Sequence, residues 1–395
     1  MECVSYSDFS LELHRRVVAQ RIPVNGTVEV TRRCPQNCVH CYNNLPMGGR
    51  EAQLRELTYE EHCRILDEMT EAGCLWLLYT GGEIFARGDF LDIYTYAKKK
   101  GLLITLFTNG VLITPEIADY LSIWRPFSIE ITLYGCTSKT YEEITRIPGS
   151  YKQCMRGIRL LLDRGLPLKL KTMAITINRD EIWDMKRFVQ HELGLKFKFD
   201  AMINPRLDAS KGPLDVRLKP EEIVGLDLQD PERVAEWKRF ADRFNGPVQA
   251  PDCWDNAYHC GGGVSAFAID PYGKMSICLL SRDETYDLRK GNFREGWESF
   301  LSKVRQKKVK RLTKCVSCEI KAMCGMCPAN GQLENRELGD ADPETPVDFL
   351  CQVAHLRAQA LGLFVRPHGE CEYCEGGNRH RELMRSSEAL QTIRG

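Results

Sequence analysis

The chain has 395 residues, more than one ordinary core holds and enough for two or three domains. Its 54 basic residues balance its 54 acidic ones, which argues against a broad nucleic-acid or membrane surface. Hydrophobic content of 43% is ordinary, but 18 cysteines in a chain with no signal-peptide-like or membrane-spanning apolar run point away from a disulfide framework and toward metal or redox chemistry in the cytoplasm.

After an extension over residues 1–25, apolar or β-branched runs occur at Thr27–Thr31, Leu75–Thr80, Leu102–Thr108, Ser128–Leu133, Pro167–Asn178 and Lys196–Ala201. Between them, "TYEEHCRILDEMTEAG", "GDFLDIYTYAKKKG" and "SYKQCMRGIRLLLDRG" repeat apolar residues at i, i+3, i+4 and end at Gly, as helices do. This alternation predicts an α/β fold with a parallel sheet: a partial (β/α)6, TIM-like barrel over residues 26–205. Barrel active sites sit at the C-terminal strand ends, so "CPQNC", directly after the first strand, lies at the mouth. Residues 206–250 are polar and helix-rich and read as a linker. Residues 251–355, rich in cysteine and glycine and poor in long apolar runs, read as a small domain held together by metal. Residues 356–395 read as a tail carrying one more CxxC, with a frayed end from about Glu382.

"CPQNCVHC" places Cys34, Cys38 and Cys41 within eight residues. Thiolates suit zinc or iron–sulfur clusters. Structural zinc closes four positions, whereas a cubane held by three cysteines leaves one iron free. A zinc loop with a distant fourth ligand, or plain buried cysteines, is the alternative.

The motif resembles the CxxxCxxC of the radical S-adenosylmethionine (SAM) superfamily, whose partial barrel matches the six βα repeats. The resemblance implies a 4Fe–4S cluster whose open iron binds the amino and carboxylate groups of SAM. One electron then cleaves SAM to a 5′-deoxyadenosyl radical that takes hydrogen from substrate, while the protein orients the cofactors and excludes side reactions. It also implies SAM contacts. Gly81, Gly82 and Glu83 of "TGGE" would face the amino group, Thr132 of "EITLYG" the ribose, and Arg146 of "TRIPGS" the ribose or carboxylate. "TNG" (Thr108–Gly110) ends the third strand as in many relatives, whereas Tyr134 stands where they carry Asp. Turn punctuation for Gly-Gly and a surface position for Arg146 are the plainer alternatives.

Eight further cysteines follow: Cys253, Cys260, Cys278, Cys315, Cys318, Cys324, Cys327 and Cys351. Paired CxxC elements alone are equally a zinc-ribbon signature. Their order, with Gly273-x4-Cys278 and "CVSCEIKAMC", resembles the SPASM domain of peptide-modifying radical SAM enzymes, although "CGMC" spaces two residues where three is commoner. The resemblance implies two auxiliary 4Fe–4S clusters, one on Cys253, Cys260, Cys278 and Cys327, the other on Cys315, Cys318, Cys324 and Cys351. Fully ligated clusters would serve electron transfer or support.

"HGECEYCEGGNRH" (His368–His380) falls outside that pattern. A small zinc site and a redox pair are alternatives, but two solvent-facing tail cysteines is the reading preferred, because half a site recruits metal poorly. Cys3, Cys63, Cys74, Cys136 and Cys154 read as small apolar residues, and the basic run Arg305–Lys314 as a solvated face.

The resemblance as a whole implies an enzyme that modifies a ribosomally made peptide or protein. A radical dehydrogenase or rearrangement enzyme for a small metabolite is the alternative within the superfamily; a zinc scaffold or electron-transfer protein is the alternative outside it. Sulfatase maturases carry Asp after the third cysteine of this domain; Leu279 stands there, which disfavours formylglycine formation. Expected partners are a peptide substrate, a low-potential donor such as ferredoxin or flavodoxin, and a separate leader-binding chain, since the barrel begins by residue 26; nucleic acid and membrane are not expected. No substrate-side catalytic residue is assigned.

Overall fold

The computed structural model describes residues 6–246, 255–336 and 343–391. It divides into two compact units, one of Met1–Leu207, Gly212–Val216 and Cys260–Arg305, the other of Asp208–Lys211, Arg217–His259 and Gln306–Gly395.

In the first unit the six strand-like runs become β1 (Asn25–Thr31), β2 (Trp76–Gly81), β3 (Leu103–Thr108), β4 (Ser128–Thr132), β5 (Leu168–Met173) and β6 (Phe197–Asp200), each parallel to the next. Pro167–Asn178 is shorter as a strand than expected. Beyond Met173 the chain turns, and the buried Asn178 side chain donates to the carbonyls of Tyr134 (3.0 Å) and Met173 (3.1 Å), which holds that turn at the mouth. Residues 260–305, expected in the cysteine-rich domain, extend this sheet instead. β7 (Ala266–Ile269) pairs parallel with β1, and β8 (Lys274–Ser276) and β9 (Tyr286–Asp287) follow antiparallel. Among the described residues the nine strands of this sheet run β9-β8-β7-β1-β2-β3-β4-β5-β6 and do not close, so β6 is an edge.

Helices α1 (Tyr59–Glu71), α2 (Phe90–Lys99), α3 (Pro115–Ile123), α4 (Ser138–Thr145), α5 (Ser150–Leu162) and α6 (Ile182–Arg187) connect the strands. In α1, Thr58 and Glu61 form a reciprocal capping box, and His62, Ile65, Leu66 and Met69 make the buried stripe. Each fully buried aliphatic there contributes about 2 kcal/mol of transfer free energy. The glycines that were read as helix stops do end α1, α2 and α5, with φ of +103° at Gly73, +85° at Gly101 and +58° at Gly165.

The second unit contains α7 (Pro220–Gln229), α8 (Pro231–Phe244), α9 (Lys321–Cys324), α10 (Pro328–Asn335), α11 (Asp348–Ala360) and α12 (His380–Gln391). The segment read as a linker is core here. Val224, Leu228 and Ala241 pack with Ile320, Met323, Ala354 and Leu356, while Trp237 and Phe240 lean on the same cluster. α8 spaces Val234, Trp237 and Ala241 at i, i+3, i+7, a helical stripe that polar neighbours hide in composition. Buried Asp227 accepts from Arg233 (2.6 Å) and Arg357 (2.8 Å), tying α7, α8 and α11 together. The segment read as a tail is also packed: Leu383 and Leu390 of α12 join that core. Among the described residues no helix is long and apolar enough to cross a membrane.

Candidate functional site

The loop that carries Cys34, Cys38 and Cys41 starts where β1 ends. Arg33 is pinned by a two-pronged pair to Glu56 (2.9 and 3.0 Å), and the hydroxyl of Thr31 donates to the same carboxylate (2.5 Å). Farther on, the N–H groups of Asn37 and Val39 donate to the carbonyls of Thr145 and Ile144 at the end of α4 (both 3.0 Å). Arg206, just past β6, closes the loop by donating to the carbonyls of Cys41 and Asn44 and to the side chain of Asn44, each at 3.0 Å. Glu29, fully buried in β1, accepts from Asn43 (2.6 Å), Tyr42 (3.3 Å) and Arg282 (3.0 Å).

The three thiols are free, Cys34 buried and Cys38 and Cys41 half-buried. Burial pushes Cys34 up to about 12, and Glu83 and Cys41 push the same way. Burial, then Cys41 and Cys34, pushes Cys38 well above the ordinary thiol range, and burial raises Cys41. Sγ of Cys34 receives the N–H of Gln36 (3.4 Å) and the side-chain amide of Asn109 (3.5 Å), and Cys41 the N–H groups of Asn43 and Asn44, while the thiols of Cys38 and Cys41 donate to the side-chain oxygens of Gln36 (3.6 Å) and Asn43 (3.7 Å). Donors aimed at sulfur suit thiolates bound to a cluster.

The Gly-Gly turn after β2 presses on this loop. Gly81 has φ of +142°, and a Cβ on it would lie 2.1 Å from the carbonyl oxygen of Thr31. Gly82 donates to Thr31 (2.8 Å) and Glu83 to the carbonyl of Arg33 (3.0 Å), so both glycines are needed for close backbone approach. The Glu83 carboxylate is buried and accepts from the hydroxyl of Thr108 (2.6 Å) and the N–H of Asn109 (2.8 Å). Burial raises it to about 7. Thr132 ends β4 in register with Lys171 of β5. Arg146 is exposed, in a left-handed conformation (φ +57°) at the end of α4. Tyr134, where relatives carry Asp, is buried, bonds to the thiol of Cys38 and meets the His40 ring edge-on at 5.0 Å.

Arg206 and Glu29 have no local signal in the sequence as parts of this site. Asn109 has one in the "TNG" that ends β3, and Tyr134 has one in "EITLYG", where it stands in place of the relatives' Asp.

Residues 28–189 match the radical SAM superfamily. The chain is 30% identical over 321 residues to an AdoMet-dependent heme synthase of Oleidesulfovibrio alaskensis, covering 77% of this chain and 82% of that one. This protein belongs to the radical SAM superfamily. It is also 26% identical to the antilisterial bacteriocin subtilosin biosynthesis protein AlbA of Bacillus subtilis, over 80% of this chain and 69% of the other. Its fold is similar to the crystal structure of Streptococcus suis SuiB bound to S-adenosylmethionine, with TM-score 0.64, 14% identity, and coverage of 89% and 82%. As a radical SAM enzyme it uses SAM and a 4Fe–4S cluster, which together supply one-electron chemistry. Around Cys34, Cys38 and Cys41 its own residues place hydrogen-bond donors and the packed Gly81–Gly82 turn.

The second unit of this radical SAM protein carries a cavity lined by Cys315, Cys318, Cys324 and Cys351, the four thiols grouped from sequence. A hydrogen bond between Cys324 and Cys351 pushes the first thiol up and the second down. Of the other four, Cys260 and Cys278 lie in the first unit and Cys327 caps α10 in the second; Cys253 lies outside the described residues. One expectation is overturned. Cys371 and Cys374 are not solvent-facing: each is only 5% exposed, because α11 and α12 pack around their turn.

Proposed function

We propose that this radical SAM enzyme modifies a peptide or protein, forming a crosslink, thioether or similar bond. The observation that carries the reading is the open sheet. Among the described residues β6 is the last strand of the sheet, with Lys198 and Asp200 exposed, and a sheet edge admits an extended chain by strand addition. The similarity to a bacteriocin biosynthesis protein supports the same class of substrate. On one face of the strands, opposite Leu106, Ile131 and Leu170, stand Phe107, Glu130 and Lys171. Lys171 lies 3.2 Å from Glu130 and 2.9 Å from the Phe107 ring centroid, and burial lowers it to about 8. This pair is a polar anchor for a backbone or carboxylate. In this reading Gly81, Gly82, Glu83, Thr132 and Arg146 face SAM. The two auxiliary sets, Cys253 with Cys260, Cys278 and Cys327 and Cys315 with Cys318, Cys324 and Cys351, each hold a 4Fe–4S cluster. A low-potential ferredoxin or flavodoxin supplies electrons, and a separate chain binds the leader.

A second reading has an observation of its own: the heme synthase similarity at 30% identity favours a small-molecule oxidation. The test is anaerobic turnover with SAM and dithionite, offering short peptides encoded beside this gene and, separately, heme-precursor tetrapyrroles. A peptide that loses two hydrogens in step with 5′-deoxyadenosine formation supports the first reading; a tetrapyrrole alone doing so replaces it. About twelve irons per chain is the expected content for three cubanes, and about four would remove the auxiliary clusters from the account.

A further inference from the structure

The second unit holds another constellation, outside the eight cysteines assigned to clusters. His355 of α11 and His368, Cys371 and Cys374 of the following segment converge with all four side chains buried, and one ligand atom from each lies within 4.8 Å of all the others. Nε2 of His355 is 3.4 Å from Sγ of Cys371 and 3.7 Å from Sγ of Cys374, and Nδ1 of His368 is 3.4 Å from Sγ of Cys374. Bonds of about 2.3 Å to sulfur and about 2.0–2.1 Å to nitrogen, set at tetrahedral angles, separate a sulfur from a nitrogen by about 3.6 Å. Three of that figure's four sulfur–nitrogen edges are already near this length, and the remaining separations fall within 4.8 Å.

We propose that His355, His368, Cys371 and Cys374 form a closed, structural zinc site. The surrounding contacts orient the ligands. His355 gives its Nδ1–H to the carbonyl of Cys351 one turn earlier (2.7 Å), which leaves Nε2 bare and aimed at the two sulfurs. Nδ1 of His368, 3.4 Å from Sγ of Cys374, donates its N–H to the carbonyl of Arg366 (3.0 Å), a bond it gives up when it binds metal. After Cys374 the chain doubles back. Gly377 donates to the carbonyl of Cys374 (2.8 Å), and a Cβ on Gly377 would lie 2.4 Å from the carbonyl oxygen of Glu372 and 2.5 Å from that of Cys371. Both cysteines are free thiols rather than a disulfide. Two thiolates and two imidazoles in a closed tetrahedron select zinc over magnesium, calcium or manganese. The metal would staple residues 366–379 to α11, the helix that also presents Cys351. Neither the peptide reading nor the metabolite reading is needed for this inference.

The cavity that carries Cys315, Cys318, Cys324 and Cys351 also touches His355, His368 and Cys371, so the rival assignment is an iron cluster that takes one of these as ligand. Elemental analysis and zinc K-edge X-ray absorption on the anaerobically purified full chain separate the two, since iron is silent at the zinc edge. The expected result is about one zinc per chain with two sulfur neighbours at about 2.3 Å and two nitrogens at about 2.0–2.1 Å. The double variant Cys371→Ser, Cys374→Ser is expected to lose that zinc and keep its iron. Absence of zinc, a zinc with four sulfurs or none, or a variant that sheds iron while keeping zinc overturns the assignment. The wild-type spectrum decides even if the variant does not fold.

Discussion

Asn109 bridges Glu83 and Cys34: its backbone N–H donates to the Glu83 carboxylate at 2.8 Å, and its side-chain amide reaches Sγ of Cys34 at 3.5 Å. The ends of β2 and β3 thereby meet at the sulfur of Cys34, a cluster ligand in the proposed reading. Sulfur that accepts a hydrogen bond holds negative charge more readily, so the donor tunes the potential of whatever metal it binds.

Replacing Asn109 with Asp keeps the oxygen that accepts from Val111 (3.1 Å) and removes the donor to Cys34. SAM cleavage should fall about 10–100-fold, the usual cost of an outer-sphere loss. The cluster's electron paramagnetic resonance signal and its reduction potential should shift. An unaltered potential in a fully loaded Asn109→Asp protein would show that the amide does not tune the cluster.

Glu83 makes stability depend on pH in a defined direction. Burial raises its carboxyl to about 7, so the native state keeps a proton that the unfolded state has released above its ordinary value near 4.5. Stability from this group is therefore present below about pH 4.5 and declines as pH rises toward 7, by about 3 kcal/mol in total. Denaturant titrations of iron-free protein at pH 5 and pH 7.5 should show that decline, and Glu83→Gln should flatten it. An identical pH slope in the variant would contradict the assignment.

Much of this is legible in the sequence. The six strands, the helix stops at Gly73, Gly101 and Gly165, and the loop of Cys34, Cys38 and Cys41 follow from local periodicity and spacing, and the structure places each close to where it was expected. What escaped depends on partners far along the chain. Arg206 reaches back across more than 160 residues to Cys41 and Asn44, and no local pattern distinguishes it from any other loop arginine. β7 joins the barrel sheet although it follows a helical segment of the other unit, so a boundary drawn from composition falls in the wrong place. His355 was invisible as a ligand because its relation to Cys371 and Cys374 exists only once α11 has folded, whereas "CEYC" read alone is half a site.

Gly82 admits no side chain. A Cβ would lie 2.5 Å from the carbonyl oxygen of Arg32 and 2.6 Å from that of Arg33, both backbone atoms that move only with the cluster loop. Gly82→Ala should destabilise the protein by about 1–3 kcal/mol, the usual range for overpacking, and should lower bound iron. Paired measurement of the denaturation midpoint and iron content checks this; a fully loaded variant with the wild-type midpoint would refute it.

Arg206 holds the far end of the cluster loop through three contacts to Cys41 and Asn44. Arg206→Ala should release iron to a ferrous chelator about 10-fold faster. Lys at the same position should recover little, because its single ammonium cannot span three acceptors arranged for a guanidinium fork. Release at the wild-type rate in both variants would assign the arginine to loop packing alone.

The central claim is that Cys34, Cys38 and Cys41 hold a cluster that cleaves SAM. The most direct measurement is 5′-deoxyadenosine formed from SAM by the reconstituted, dithionite-reduced chain, wild type beside Cys38→Ala. The account predicts product from the wild type and none from the variant, with the wild type alone losing a SAM-dependent cluster signal. Equal product from both proteins, or zinc and no iron in the wild type, would contradict it.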